Sequence, residues 1–492
     1  MASSDAPAAA CGDNRAASGE DTSRGVPPQP SKASVLPHYL VFPLHRPYAS
    51  VREDRTNVEV EGDTRLRFMI NSRTWRNSWL LQVILTDNGW VRVPAERANW
   101  DLWWCAGQAN TRAIRELLPS QRVNKFPKSS TLTLKAYLHY TVAEAAGRWG
   151  AEHFAFMPET YVLPTELEEF EAARAACDPK QVWIVKPYAA YCGRGIFLLN
   201  NTGKLSSEVI EDRAVVSRYL ERPYLINGLK FDMRIYVLVT SWHPLVIYLH
   251  SNGLVRFATE PYSLDGSLEK RNMHITNYTL NKRSSNFKAS AAVDDDGTGS
   301  KWTLDALRAH LLADVGEARS QTVWAAVDDL VVKTCLAAEP SMQQSFEKYV
   351  PEAVRAQPHA GCFQLFGFDV MLDADLKPWL LEVNLDPALG TDSPLDFKVK
   401  SAMLTDALNL IGIEGTGGAA GHFRTPAHAA MENTPRLSPE GVREWRARAQ
   451  VDGERARSRD GSWRRLLPGP GGDRYAPFFE TGRDLNFLDY DP

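Results

Sequence analysis

The run Leu229–Thr240 is rich in β-branched, aromatic and aliphatic residues, and charged residues enter it at alternate positions, as Lys230, Asp232 and Arg234. A period of two marks a strand, because successive side chains leave opposite faces of a sheet. Four residues, Ser241-Trp242-His243-Pro244, separate it from a second such run, Leu245–His250. The pair reads as a hairpin, so a sheet built around one long strand is the expected scaffold. Alternation puts Lys230, Asp232 and Arg234 on one face and Phe231, Met233 and Ile235 on the other. Three charges on one face of an otherwise apolar strand need either a polar cleft or a solvated sheet face.

At 492 residues, 44% hydrophobic and 24% charged, the chain is long enough for two or three domains. Its formal net charge of -4 argues against a generic nucleic-acid coat, so no nucleic-acid partner is expected. The 6 cysteines form no CxxC and no regular spacing, which disfavours a disulfide framework or a cysteine zinc site and favours a reducing compartment. No apolar run approaches the roughly 20 residues of a membrane span, and the N-terminus has no signal-peptide apolar region. A soluble intracellular protein without a membrane partner is the expectation.

Residues 1–36 are Ala-, Ser-, Pro- and Gly-rich with no aromatic, a composition expected to stay disordered. Residues 37–120 read as a small N-terminal α/β domain with an aromatic cluster at Trp100, Trp103 and Trp104. Residues 121–228 hold a helix near Leu134–Ala146 and the strands Val182–Lys186 and Ile196–Leu199. Residues 229–413 hold the long hairpin, the segment Lys288–Ser300 read as a mobile loop, and a helix ending near Pro340, where a proline should stop it. They close with a second hairpin, Cys362–Leu372 with Pro378–Asn384, and a helix near Leu395–Ile411. Residues 414–492 are first Gly-rich, then Arg-rich, and read as a flexible tail. Ser438-Pro439 begins a short helix there, and Tyr475, Phe478 and Phe479 are expected to dock back onto the body.

The second hairpin carries the most telling chemistry. Glu382 and Asn384 share a face of one strand, and a turn symmetric about Asp373–Pro378 puts Asp369 opposite Glu382. Facing carboxylates repel unless a cation sits between them. Two carboxylates and an amide oxygen are hard ligands suited to Mg²⁺; the alternative is a solvated hairpin with incidental acids. A second feature is the apolar strand Trp183-Ile184-Val185, ending in Lys186 before the turn Gly193-Arg194-Gly195. That arrangement can put an ammonium and free backbone N–H groups around a phosphate, or it is a turn with a surface lysine. No Walker A sequence is present, and Leu198 stands where a dinucleotide fingerprint needs its third glycine. Arg256 lies inside the apolar run Leu254–Ala258. Taken together, Lys186, Lys230, Arg234 and Arg256 require a polyanion, and Asp369, Glu382 and Asn384 would hold its metal. A nucleoside triphosphate fits. No Ser-His-Asp order, HExxH or G-x-S-x-G supports a hydrolase.

The ordered segments VWIVKP…GRGI, VSRYL, GLKFDMRIYVLV, GLVRFAT, HITNYTLNK, GSKWT, LFGFDV and KPWLLEVN closely resemble the tubulin tyrosine ligase-like family, specifically its polyglutamylase branch. The resemblance covers roughly Asn99–Ile413 and extends weakly through GSWRRLLP…YAPFF. It implies an α/β (α+β) chain with an ATP-grasp fold, whose two subdomains hold ATP and Mg²⁺ between them. It further implies a monomeric ligase that joins free L-glutamate to glutamate side chains of tubulin C-terminal tails through an acyl-phosphate. The expected location is the cytoskeleton of the cytoplasm, with cilium, flagellum or basal body as further places.

By the same resemblance Lys186, Cys192, Gly193, Arg194 and Gly195 surround the phosphates, and Ser217, Arg218, Tyr219 and Leu220 meet adenine. Lys230, Phe231, Asp232, Thr276 and Asn277 complete the nucleotide site. Arg256, Tyr278, Thr279, Lys301 and Lys398 hold the incoming amino acid, and Asp369, Glu382 and Asn384 bind magnesium. Arg234 stabilises developing negative charge, with Lys186 and Arg256 as its catalytic companions. His274 is read as a structural group. Two positions depart from the family pattern: Cys192, where many relatives have Arg or Gln, and Asp386, where serine is usual. An added carboxylate near a phosphate site weakens anion binding unless it points away. The alternatives are a glycine donor, a non-tubulin acidic acceptor, or a non-catalytic microtubule adaptor.

Overall fold

The computed structural model describes residues 66–71, 75–94, 99–188, 193–265, 268–290, 292–357, 361–413, 438–458 and 461–479. The expected N-terminal tail, Cys192 and the stretch 414–437 lie outside the described residues. The architecture is mixed α and β with three sheets. The long strand is its spine and runs Leu229–Trp242. Leu254–Phe257 pairs with its first half and Leu245–His250 with its second, on one edge; Gln364–Leu372 pairs along the other. Pro378–Asn384, Lys301–Thr303, Leu225–Ile226 and Trp463–Leu467 complete this eight-stranded sheet. All of its pairings are antiparallel.

The predicted alternation is present. Phe231, Met233, Ile235, Val237 and Val239 enter one core with Val323, Val327, Leu330, Val331, Cys335 and Met342 of the helix Glu317–Tyr349. Each such side chain removed from water contributes about 1.5–3 kcal/mol. The opposite face is divided. Its far half, through Tyr236 and Leu238, packs on Phe397, Met403 and Leu404 of the helix Pro394–Ile411. Its near half carries the charges.

A four-stranded antiparallel sheet has the order Thr160–Leu163, Ala214–Arg218, Val182–Pro187, Phe197–Asn200. Its Trp183 and Val185 pack with Phe170 of the helix Leu167–Ala176, so Ile184 and Lys186 face the other way. The third sheet is parallel, ordered Val91–Arg92, Arg67–Ile70, Leu102–Trp104, Arg122–Val123. Among the described residues Cys105, Cys177, Cys335 and Cys362 are free thiols. No helix among the described residues is long and apolar enough to cross a membrane.

Three expectations need correction. The helix expected to end near Pro340 continues to Tyr349. A mid-helix proline costs about 3 kcal/mol, but Ala338 and Met342 on either side of it are both buried, and their packing offsets that cost. The segment Lys288–Ser300 is pinned rather than loose. Ser300 N donates to Lys288 O at 2.9 Å, Lys288 N to Ser300 Oγ at 3.0 Å, and Thr303 N to Asp296 Oδ1 at 2.8 Å. The helix begun at Pro439 is not short: it runs to Ser458. It buries Ala447, Gln450, Val451 and Glu454, with the Glu454 carboxylate accepting from Thr240 Oγ1 and Tyr248 Oη at 2.9 and 3.0 Å. Tyr475 and Phe478 join the main core as expected, Phe478 lying edge-on to Trp149 and Phe154.

Candidate active site

A cleft opens between the small antiparallel sheet and the charged half of the large one. The small sheet contributes Ile184 and Lys186, its neighbouring strand Ser217 and Arg218, and the following residues Tyr219 and Leu220. The large sheet contributes Lys230, Asp232, Asp369, Met371, Leu381, Glu382 and Asn384. Gly193, Arg194, Thr276 and Asn277 line it as well. Ile184, Ile196, Met371 and Leu381 supply an apolar slot, with the backbone of Ser217–Leu220 along one edge and the carboxylates beyond.

The glycine turn is shaped for close approach. Gly193 has φ +72 and Gly195 φ +67, and a Cβ on Gly195 would lie 2.8 Å from Pro187 Cγ. Side chains rarely adopt that backbone conformation. The Arg271 guanidinium donates to the Gly193 carbonyl and ties the turn to the short helix Arg271–His274.

Two lysines face the cleft. Lys230 is 5% exposed; its ammonium donates to Tyr219 Oη at 2.8 Å and to His274 O at 3.0 Å. Burial pushes its pKa down to about 7, with nearby Asp232 opposing and Lys186 adding to the fall. Burial likewise brings Lys186 down to about 8, against the pull of Glu382 and Asp369. Withheld solvation explains both shifts, and a polyanion between the lysines would restore their charge. His274 Nδ1 lies 3.1 Å from Tyr219 Oη, a partner in the wall.

At the acid end, register places Asp369 opposite Glu382, Arg234 opposite Asp369 and Asp232 opposite Arg256. The repulsion foreseen between the two acids is answered first by guanidinium groups. Arg234 Nε donates to Asp369 Oδ1 at 2.5 Å, and Arg256 spans Asp232 Oδ1 at 2.6 Å and Asp369 Oδ2 at 2.7 Å. These contacts outweigh burial and hold the Asp369 carboxyl well below the usual carboxylate range. Thr276 Oγ1 donates to Asp232 Oδ2. Glu382 Oε2 is 3.7 Å from Lys135 Nζ. The Asn384 amide nitrogen donates to Gly367 O at 3.2 Å and Glu382 Oε1 at 3.4 Å, which leaves its oxygen as an acceptor. No group of three or more His, Cys, Asp or Glu that could hold a metal occurs among the described residues. The donors nominated from the sequence, the carboxylates of Asp369 and Glu382 and the amide oxygen of Asn384, line the cleft together. Such a set suits Mg²⁺, which keeps waters and shares phosphate oxygens.

Other nominated residues are distributed differently. Phe231 turns into the core against Tyr224 and Phe257 and is not brought to the cleft. Arg256 stands opposite Lys301. Lys301 Nζ sits 3.7 Å above the Tyr278 ring and 2.6 Å from Asp396 Oδ2. Thr279 and Lys398 are exposed.

The sequence reading missed Lys400, whose ammonium is buried and 2.8 Å from Asp396 Oδ1. It also missed Lys135, for which sequence carries no signal because its helix reaches the cleft only through packing. Ile184 and Met371 were findable, since each lies two residues from a nominated residue on the same strand. Asp386 does point away from the cleft lining: its Oδ1 lies 2.8 Å from Lys125 Nζ.

The sequence model of the tubulin-tyrosine ligase family matches residues 112–416. The tubulin polyglutamylase TTLL5 of Homo sapiens is 37% identical over 384 residues, which is 77% of this chain and 29% of that protein. The tubulin monoglutamylase TTLL4 of Homo sapiens is 36% identical over 84% of this chain and 37% of its own. The tubulin polyglutamylase TTLL13 of Mus musculus is 34% identical over 80% of this chain and 48% of its own. The chain thus spans between about a quarter and a half of the length of the curated relatives it matches. With 305 matched residues covering the whole cleft, this chain belongs to the tubulin-tyrosine ligase family.

Proposed function

We propose that this protein is an ATP- and Mg²⁺-dependent ligase of ATP-grasp type, adding glutamate to glutamate side chains in tubulin C-terminal tails. The observation that carries the reading is the single cleft in which two charge-depressed lysines face an acid pair across an apolar slot. The similarity to tubulin polyglutamylases and a tubulin monoglutamylase supports the acceptor. ATP with magnesium would supply the phosphoryl group that activates the acceptor carboxylate as an acyl-phosphate.

The residues divide that work. Lys186 and Lys230 neutralise phosphates beside the Gly193-Arg194-Gly195 turn. The Ser217–Leu220 edge with Ile184 and Met371 receives the adenine, while Asp232, Thr276 and Asn277 meet the ribose and phosphates. Asp369, Glu382 and Asn384 hold the cation. Arg234, fixed by Asp369, presents charge where the acyl-phosphate and then the tetrahedral adduct become negative. The amine nitrogen attacks the acyl carbon, the C–O bond to phosphate breaks, and the departing phosphate takes the amine proton.

Arg256, Tyr278, Thr279, Lys301 and Lys398 are assigned to the incoming amino acid. Lys301 and Lys400 share the one carboxylate of Asp396; the surplus positive charge favours a dicarboxylic donor over glycine. The antiparallel four-stranded sheet and the eight-stranded sheet, with their helices, would be the two grasping subdomains, 121–228 and 229–413, and 37–120 the N-terminal one. Microtubules of the cytoplasm or cilium would be the place of action.

Purified protein with ATP, Mg²⁺ and labelled glutamate should modify tubulin, and Glu382→Gln should abolish the transfer. Transfer at the wild-type rate in that variant would remove the metal assignment.

A further inference from the structure

Beyond the acid hairpin, the chain carries an ion pair that the ligase reading leaves unused. Asp386 follows Asn384 by two residues and Glu382 by four. Its Oδ1 is 2.8 Å from Nζ of Lys125, whose side chain is 2% exposed, and its Oδ2 accepts from Gly107 N at 2.6 Å. Lys125 follows the strand Arg122–Val123 and Gly107 follows Leu102–Trp104, so both anchors lie just beyond adjacent strands of the parallel sheet. Asn124, next to Lys125, is itself fixed: its Oδ1 accepts from Cys105 N at 2.6 Å.

The same sheet also grips the other strand of the hairpin. Val123 bridges to Cys362, and Phe363 N donates to Val123 O at 3.0 Å, immediately before the strand that carries Asp369. On the Glu382 strand the last register pair is Gly367 with Asn384. Past that pair the ladder no longer sets the strand's position, and Asp386 takes over. An ammonium as deeply buried as that of Lys125 strongly favours a facing carboxylate, which makes the contact a stiff one.

We propose that Lys125 and Asp386 form a positioning clasp that holds Glu382 and Asn384 opposite Asp369 for the divalent cation. The clasp rests on the reading that these three residues bind magnesium. It also explains how this chain carries a carboxylate beside an anion site: the charge is matched by Lys125 and adds no net repulsion.

The test is the magnesium dependence of binding a fluorescent ATP analogue to the full chain. It compares wild type with Asp386→Ala, Asp386→Asn, Lys125→Met and the double variant Lys125→Met/Asp386→Ala. Losing a partner that orients a metal ligand weakens metal affinity about 10–100-fold, so Asp386→Ala should raise the half-saturating Mg²⁺ by about tenfold. The kcat at saturating Mg²⁺ should stay near wild type. The double variant should recover part of the loss, because no buried ammonium is left unmatched. Asp386→Asn, which keeps an acceptor for Gly107, should fall between. An unchanged Mg²⁺ requirement in Asp386→Ala, or a double variant no better than it, overturns the clasp. If Asp386→Ala does not fold, Asp386→Asn is judged by the same criterion. Wild type that binds the analogue without any Mg²⁺ dependence would instead overturn the magnesium reading itself, and the clasp's role with it.

Discussion

Nucleotide affinity should fall steeply with rising pH, because the two lysines of the cleft lose charge near neutrality when no anion is present. Free Lys230 titrates at about 7 and Lys186 at about 8. A bound triphosphate restores the charged form of each, so binding takes up protons wherever the free lysine is neutral. The sign follows: affinity is complete below about pH 7 and is lost as pH rises through the two free-state values. From about pH 6.5 to about pH 9 the fraction of charged Lys230 falls roughly 80-fold and that of Lys186 roughly tenfold, a combined loss near 4 kcal/mol. Calorimetric titration of a non-hydrolysable ATP analogue, in buffers of differing ionisation enthalpy, measures affinity and proton uptake together. Lys230→Arg, which keeps its charge throughout, should remove the larger part of the slope while binding persists. An affinity that stays flat over this range, or no proton uptake at about pH 8.5, would refute the argument that burial has discharged these lysines.

Two further outcomes concern stability. Asp369→Asn leaves Arg234 and Arg256 buried with one carboxylate fewer, and should cost about 3–5 kcal/mol. Urea unfolding, with the midpoint lowered at unchanged slope, measures this, and a loss under about 1 kcal/mol would contradict the network. Trp463 is buried, lies edge-on to His250 with ring centroids 5.0 Å apart, and donates Nε1–H to Met403 O at 3.2 Å. Trp463→Ala should therefore cost about 3–5 kcal/mol; a melting temperature unchanged from wild type would show that the last strand does not stabilise the core.

Periodicity carried much of the fold by itself. The alternation through Leu229–Thr240 assigned the apolar and charged faces of the spine strand, a local consequence of a two-residue period. The facing of Asp369 and Glu382 was expected from a turn symmetric about Asp373–Pro378, but the turn pairs Leu372 with Pro378, and an irregularity between Asp369 and Val370 is what brings Glu382 across from Asp369. Helix ends were less legible. Pro340 is a stop signal in isolation, and only burial on both sides of it carries the helix on to Tyr349.

What only the tertiary structure decided is which charges meet. Sequence nominated Lys186, Lys230, Asp369 and Glu382 separately, and strand packing brought them to one cleft. Lys135, Lys400 and the Lys125–Asp386 pair were invisible, because each partner comes from a different element more than two hundred residues away, or from a helix whose docking no local pattern encodes. Even Lys400 and Asp396, one helical turn apart, gain their meaning from Lys301, which a distant strand supplies. Burial is a property of the assembled fold. The depressed lysines arise from desolvation, and the clamped Asp369 and the shared Asp396 from cations that outweigh it, brought there by other elements; the linear chain expresses neither.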